Sequence, residues 1–69
     1  MAVIITLNGK KEEIEFGLTI SKLLEAKKIR PEVVTVELNE NIIERSRYGE
    51  LPLQAGDRLE FVYYMGGGR

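Results

Sequence analysis

The chain opens on a run rich in β-branched residues, Ala2 to Leu7, which stops at Asn8-Gly9. Branching at Cβ favours extended backbone, and Asn-Gly supplies the two positive-φ positions of a tight hairpin turn. The return segment, Lys10 to Phe16, sets Ile14 and Phe16 on one face against Glu13 and Glu15 on the other. A period of two describes a strand with one wet face, and Gly17 ends it.

The period then becomes helical. Ile20, Leu23 and Leu24 form an apolar stripe, while Ser21, Lys22, Glu25 and Lys28 face water. Thr19 is placed to cap the start, with Leu18 and Leu23 at the positions of a hydrophobic staple. The pattern predicts a helix over Thr19 to Lys28, with Lys27 and Lys28 in a last turn where the helix dipole favours cations. Arg30-Pro31 stops it, because proline disfavours helical geometry in the residue before it.

A third strand follows over Val33 to Leu38, with Val34, Val36 and Leu38 on one face. Asn39-Glu40-Asn41 reads as a turn and Ile42-Ile43 as a short fourth strand. From Glu44 to Gln54, charges, Gly49 and Pro52 dissolve the pattern into a loop with a helical turn, from which Leu51 and Leu53 return to the core. Ala55-Gly56-Asp57 turns the chain into a last strand, Arg58 to Tyr64. There Leu59, Phe61 and Tyr63 alternate with Glu60, Val62 and Tyr64; by alternation Leu59 and Phe61 face the core. The chain closes Met65-Gly66-Gly67-Gly68-Arg69. One helix lying across one sheet buries these stripes economically. The order fits an α+β fold, the ubiquitin-like β-grasp, with a mixed four- to five-stranded sheet crossed by one helix. Its first and last strands should be parallel neighbours at the centre. Residues 1–65 are expected to form that domain, and 66–69 a flexible glycine-rich tail.

Composition narrows the chemistry. The sequence holds no cysteine and no histidine, which removes the best nucleophile, the commonest general base and the usual soft metal ligands. Its carboxylates are scattered and its serines and threonines lack an evident base, so no catalytic residue and no metal site are expected. With net charge −1 and interspersed signs there is no basic stripe for phosphates. No apolar run approaches the ~20 residues that span a bilayer. Nucleic acid and membrane are therefore not expected partners, and a cytoplasmic location is.

Only Gly66-Gly67-Gly68 is not required by a fold. Alone, such a run reads as an inert linker; directly after the last strand of a ubiquitin-like order, it reads as a tail with a purpose. The whole chain resembles the ThiS family of thiamine-pathway sulfur carriers. The matching residues are Asn8-Gly9, Thr19 with Leu23-Leu24, Val36-Glu37-Leu38-Asn39, Ile43, Arg45-Ser46, Gly56-Asp57, Leu59-Glu60 and the closing glycines. Each piece is common; their order and spacing are not. The compact length suits ThiS better than the related molybdopterin carrier MoaD.

The resemblance implies a carrier and cosubstrate rather than an enzyme. A ThiF-like adenylating enzyme, using ATP and Mg²⁺, would activate the C-terminal glycine. Sulfur from a sulfurtransferase or cysteine desulfurase would convert it to a thiocarboxylate, which thiazole synthase accepts. The carrier itself binds no cofactor. Counting from Gly56-Asp57, Gly67-Gly68 occupies the family's terminal pair, so Gly68 carries the reactive carboxyl, Gly67 and Gly66 precede it, and Arg69 is extra. Glu60, Val62 and Tyr64, facing outward on the last strand, form a candidate docking patch. Three alternatives remain open on sequence: a carrier for molybdopterin, tungsten cofactor or cysteine synthesis; a protein modifier that forms isopeptide bonds, made as a precursor blocked by Arg69; and a binding-only module with inert glycines.

Overall fold

The computed structural model describes residues 1–63. Five strands and one helix follow in the order β1 (Ala2–Leu7), β2 (Lys10–Glu15), α1 (Ile20–Ala26), β3 (Val34–Leu38), β4 (Asn41–Ile43) and β5 (Arg58–Tyr63). The sheet runs β2-β1-β5-β3-β4. β1 and β5 are parallel, and every other pair is antiparallel. This is the β-grasp arrangement expected from the sequence, with β5 at the centre.

Two hairpins are set by local chemistry. Asn8 and Gly9 take φ of 49° and 83°, and Asn39 and Glu40 take 51° and 73°. Both are two-residue turns with positive φ at each position, whose twist matches that of the strands they join. The second turn is shorter than expected, because Asn41 already belongs to β4 and pairs with Leu38.

The helix packs its stripe on the inner face of the sheet. Ile20, Leu23 and Leu24 are buried with Ile5, Ile14, Val34, Val36, Leu53, Leu59 and Phe61. Burying a side chain of this size contributes roughly 1.5–3 kcal/mol. Thr19 caps the start, its Oγ1 accepting from the Lys22 N–H at 3.2 Å.

The C-terminal end differs from expectation. The helix stops at Ala26, with Lys27 as its cap, well before Arg30-Pro31. Lys28 takes φ of 61°, and its N–H donates to the Glu25 carbonyl at 3.1 Å while the Ile29 N–H donates to the Leu24 carbonyl at 2.9 Å. This is the Schellman closure, with lysine where glycine is usual. Ile29, half-buried against the core, supplies the hydrophobic contact that goes with it. Lys27 and Lys28 thus lie beyond the last turn; instead of serving the dipole from within, the Lys27 ammonium pairs with Glu12 of β2 at 2.8 Å.

Smaller departures all fall at the ends of elements. Phe16, expected inside with Ile14, is 61% exposed, because β2 ends at Glu15 and Gly17, at φ 87°, swings the chain away. Tyr63, in phase with the buried Leu59 and Phe61, is 44% exposed at the far end of β5. Val33 closes a 3₁₀ turn begun at Pro31 and does not join β3.

The loop between β4 and β5 contains the expected turn, a 3₁₀ segment over Arg45–Arg47. Leu53 is buried, while Leu51 is half-buried. Tyr48, unremarked in the sequence, is also buried in the core. Its carbonyl accepts the Ser21 N–H at 3.0 Å, satisfying one of the unpaired donors that every helix start leaves.

Candidate functional site

β5 is the element that leads to the glycines, so the geometry around its end defines the site. It is held on both sides. Toward β3 it pairs from Leu38–Leu59 to Val34–Tyr63. Toward β1 the register covers Thr6–Arg58 and Leu7–Leu59. Asn8 extends that contact: its N–H donates to the Leu59 carbonyl at 2.9 Å and its Oδ1 accepts from the Phe61 N–H at 2.7 Å.

The start of β5 is fixed by a second asparagine. Asn39 Oδ1 accepts from the Arg58 N–H at 2.9 Å, and Asn39 Nδ2 donates to Asp57 Oδ1 at 3.1 Å. The other oxygen of Asp57 accepts from the Gln54 N–H at 2.8 Å, closing the turn around Gly56. Each carboxylate oxygen thus holds a different segment, which orients the strand before it enters the sheet.

Of the expected docking residues, Glu60 and Val62 lie on the outer face of the sheet, away from the helix, and both are exposed. Tyr64, Gly66, Gly67, Gly68 and Arg69 lie outside the described residues, as does the expected boundary at residue 65. Around Glu60 and Val62 the structure gathers residues that the sequence reading did not single out. Glu37 of β3 stands opposite Glu60, and Ile42 of β4 stands opposite Glu37. Ile42 is 69% exposed and Val62 50%. The patch is therefore two apolar side chains flanking two carboxylates, with Glu40 and Arg58 at its margin. Like charges directly opposite each other on a sheet repel. The signal for Ile42 and Glu37 was present in the two-residue Asn39-Glu40 turn, which fixes their register.

Among the described residues no cluster of three His, Cys, Asp or Glu side chains could hold a metal ion. No helix among them is long and apolar enough to cross a membrane.

Comparison with known proteins gives the patch and the tail a context. The ThiS family profile matches residues 2–68. The chain belongs to the ThiS family. It is 39% identical over 66 residues to the sulfur carrier protein ThiS of Bacillus subtilis, covering 93% of this chain and 98% of that one. It also resembles the crystal structure of the thiamine biosynthesis protein ThiS of Geobacter metallireducens, with a TM-score of 0.83 and 39% identity. That match covers 96% of this chain and 100% of the other. A third similarity is of another kind. The chain is 40% identical over 65 residues to a thiazole synthase of Magnetococcus marinus, covering 94% of this chain but 20% of that protein. The chain thus spans about a fifth of that relative's length. ThiS proteins are small sulfur carriers and not catalysts, in keeping with a site made of a strand end and a patch.

Proposed function

We propose that this protein is the sulfur carrier of thiazole formation in thiamine biosynthesis, and that Gly68 is the residue that carries the sulfur. The family match across residues 2–68, which takes in the glycines and leaves Arg69 outside, is the observation that carries this reading. In the working form Arg69 is removed and Gly68 ends the chain. A ThiF-like enzyme holding ATP and Mg²⁺ supplies activation. An oxygen of the Gly68 carboxylate attacks the α-phosphorus, pyrophosphate leaves, and an acyl-adenylate forms. A carboxylate is a poor acylating group, and adenylation gives it a good leaving group. The terminal sulfur of a persulfide, held by a sulfurtransferase or cysteine desulfurase, then attacks the acyl carbon and AMP departs. A thiol cleaves the resulting S–S bond, giving the thiocarboxylate and a disulfide.

Thiazole synthase is the proposed acceptor. The thiazole synthases of Magnetococcus marinus and Paramagnetospirillum magneticum each contain a segment similar to nearly all of this chain, and a carrier joined to the enzyme that uses it gains effective concentration. Gly67 and Gly66 suit a narrow channel because they lack Cβ. Glu60, Val62 and Tyr64, with Glu37 and Ile42 added by the structure, are the proposed docking surface. The setting is cytoplasmic, where ATP is available.

The test compares the full chain with one stopped at Gly68, each incubated with ATP, Mg²⁺ and a ThiF-type enzyme. Mass spectrometry is expected to show the AMP adduct, and with a sulfur donor the thiocarboxylate, on the shorter form alone. Adenylation must occur on a free carboxylate, and in the form that ends at Arg69 that group belongs to arginine, whose guanidinium is costly to desolvate in a channel shaped for glycine. Equal reaction of the full chain with Arg69 retained would refute this account of the terminus. Failure of both forms would refute the carrier reading.

A further inference from the structure

The parallel pairing that places β5 is short. Its register covers Thr6–Arg58 and Leu7–Leu59, after which Asn8 and Gly9 turn the chain back into β2. Asn8 adds a last rung through its N–H to the Leu59 carbonyl and its Oδ1 from the Phe61 N–H. β5 continues to Tyr63, still opposite Val34 of β3 on its other side.

Main-chain groups face alternate sides along a strand. Leu59 and Phe61 present theirs to β1 and Asn8, so Tyr63 presents its N–H and carbonyl to that same side. Arg58 faces β3, its carbonyl accepting from the Asn39 N–H at 2.7 Å, which sets Glu60 and Val62 on the β3 side. Past the hairpin tip, no strand among the described residues lies beside β5 on the β1 side. Among the described residues, the carbonyl of Phe61 and the N–H of Tyr63 therefore face no neighbouring strand on that side, in the interior of a sheet whose outer edges are β2 and β4.

We infer that the protein which takes the glycine tail lays an extended segment of its own main chain along this side of β5, accepting from the Tyr63 N–H and donating to the Phe61 carbonyl. The inference rests on the carrier reading above. A donor and an acceptor at strand spacing are matched by extended peptide backbone, the strand-addition mode of recognition. The hairpin tip at Asn8-Gly9 blocks one end, so the segment is short and approaches from the tail side. Val62 and Tyr63, 50% and 44% exposed on opposite faces of the same strand end, give it apolar flanks. Continuity identifies the occupant. Gly68 is five residues beyond Tyr63, at most ~18 Å of extended chain at ~3.6 Å per residue. A partner that holds Gly68 in its reactive centre necessarily has surface within that distance of Tyr63.

The test replaces the Tyr63 amide by an ester through semisynthesis, in the form ending at Gly68. The side chain stays, one N–H becomes oxygen, and the bonds to β3 are untouched. With a ThiF-type enzyme, ATP and Mg²⁺, KM for the carrier is expected to rise roughly five- to tenfold, the worth of one main-chain hydrogen bond. The kcat and the melting curve should stay unchanged. In the amide form, hydrogen exchange at Tyr63 should slow when the enzyme is added. An ester form with the KM of the amide form, or a Tyr63 N–H left unprotected in the complex, overturns the inference while the carrier reading stands. An amide form that yields no adenylate at all fails the carrier reading, and this inference with it.

Discussion

Asn8 accepts the main-chain N–H of Phe61 at 2.7 Å, across 53 residues of sequence. The same residue sits at φ 49° in the first hairpin turn, so one asparagine both reverses β1 into β2 and ties that turn to the strand leading to the tail. Few side chains can do both. Asparagine tolerates the left-handed region and carries a short acceptor.

These two roles can be separated by substitution. Asn8→Gly keeps the turn and loses the bond to Phe61, and should cost about 1 kcal/mol. Asn8→Ala loses the bond and also strains the left-handed position, adding ~1–2 kcal/mol. Urea melts of both variants should preserve that order. Equal stability would mean that the turn conformation carries no strain for alanine.

Lys28 offers a change in the opposite direction. It holds the left-handed closing position of α1 with φ 61°, where glycine has no Cβ conflict. Lys28→Gly should raise stability by ~0.5–1 kcal/mol, the relief of strain less the added freedom of the unfolded chain. A lower melting temperature would show that the lysine side chain contributes more than its backbone costs.

Leu23 is buried beneath the helix against the sheet. Leu23→Ala should destabilise by ~2–5 kcal/mol, the usual cost of truncating a buried leucine. For a domain with a total stability on the order of 5 kcal/mol, thermal melts should register a large fall or a chain largely unfolded at room temperature.

Val62 tests the docking surface without touching the core. Val62→Glu adds a third carboxylate beside Glu37 and Glu60, on a face the helix does not cover. Stability should change by less than ~0.5 kcal/mol, as for most surface positions. Affinity for the ThiF-type enzyme, measured by calorimetry, should fall about tenfold or more, the loss of an apolar contact at an interface centre. Unchanged binding would place the docking surface elsewhere.

Much of this protein was decided by local rules. Asn8-Gly9, the Thr19 cap, the stripe of Ile20, Leu23 and Leu24, and the alternation about Leu59 and Phe61 are short-range statements about φ, side-chain size and period. They read correctly because the residues that determine them lie within a few positions of each other. Their order along the chain was enough to predict the β-grasp and the resemblance to ThiS. Tertiary structure decided what period alone cannot carry. Phe16 and Tyr63 are in phase with the core, yet exposed, because Phe16 lies just past the end of β2 and Tyr63 is the last residue of β5. Tyr48 lies in a charged, aperiodic loop, yet is buried, because that loop folds under the start of the helix. The rung from Asn8 to Phe61 exists only once β1 and β5 lie side by side. Contacts between residues 53 apart depend on where the chain ends and turns in space, and no periodicity records that.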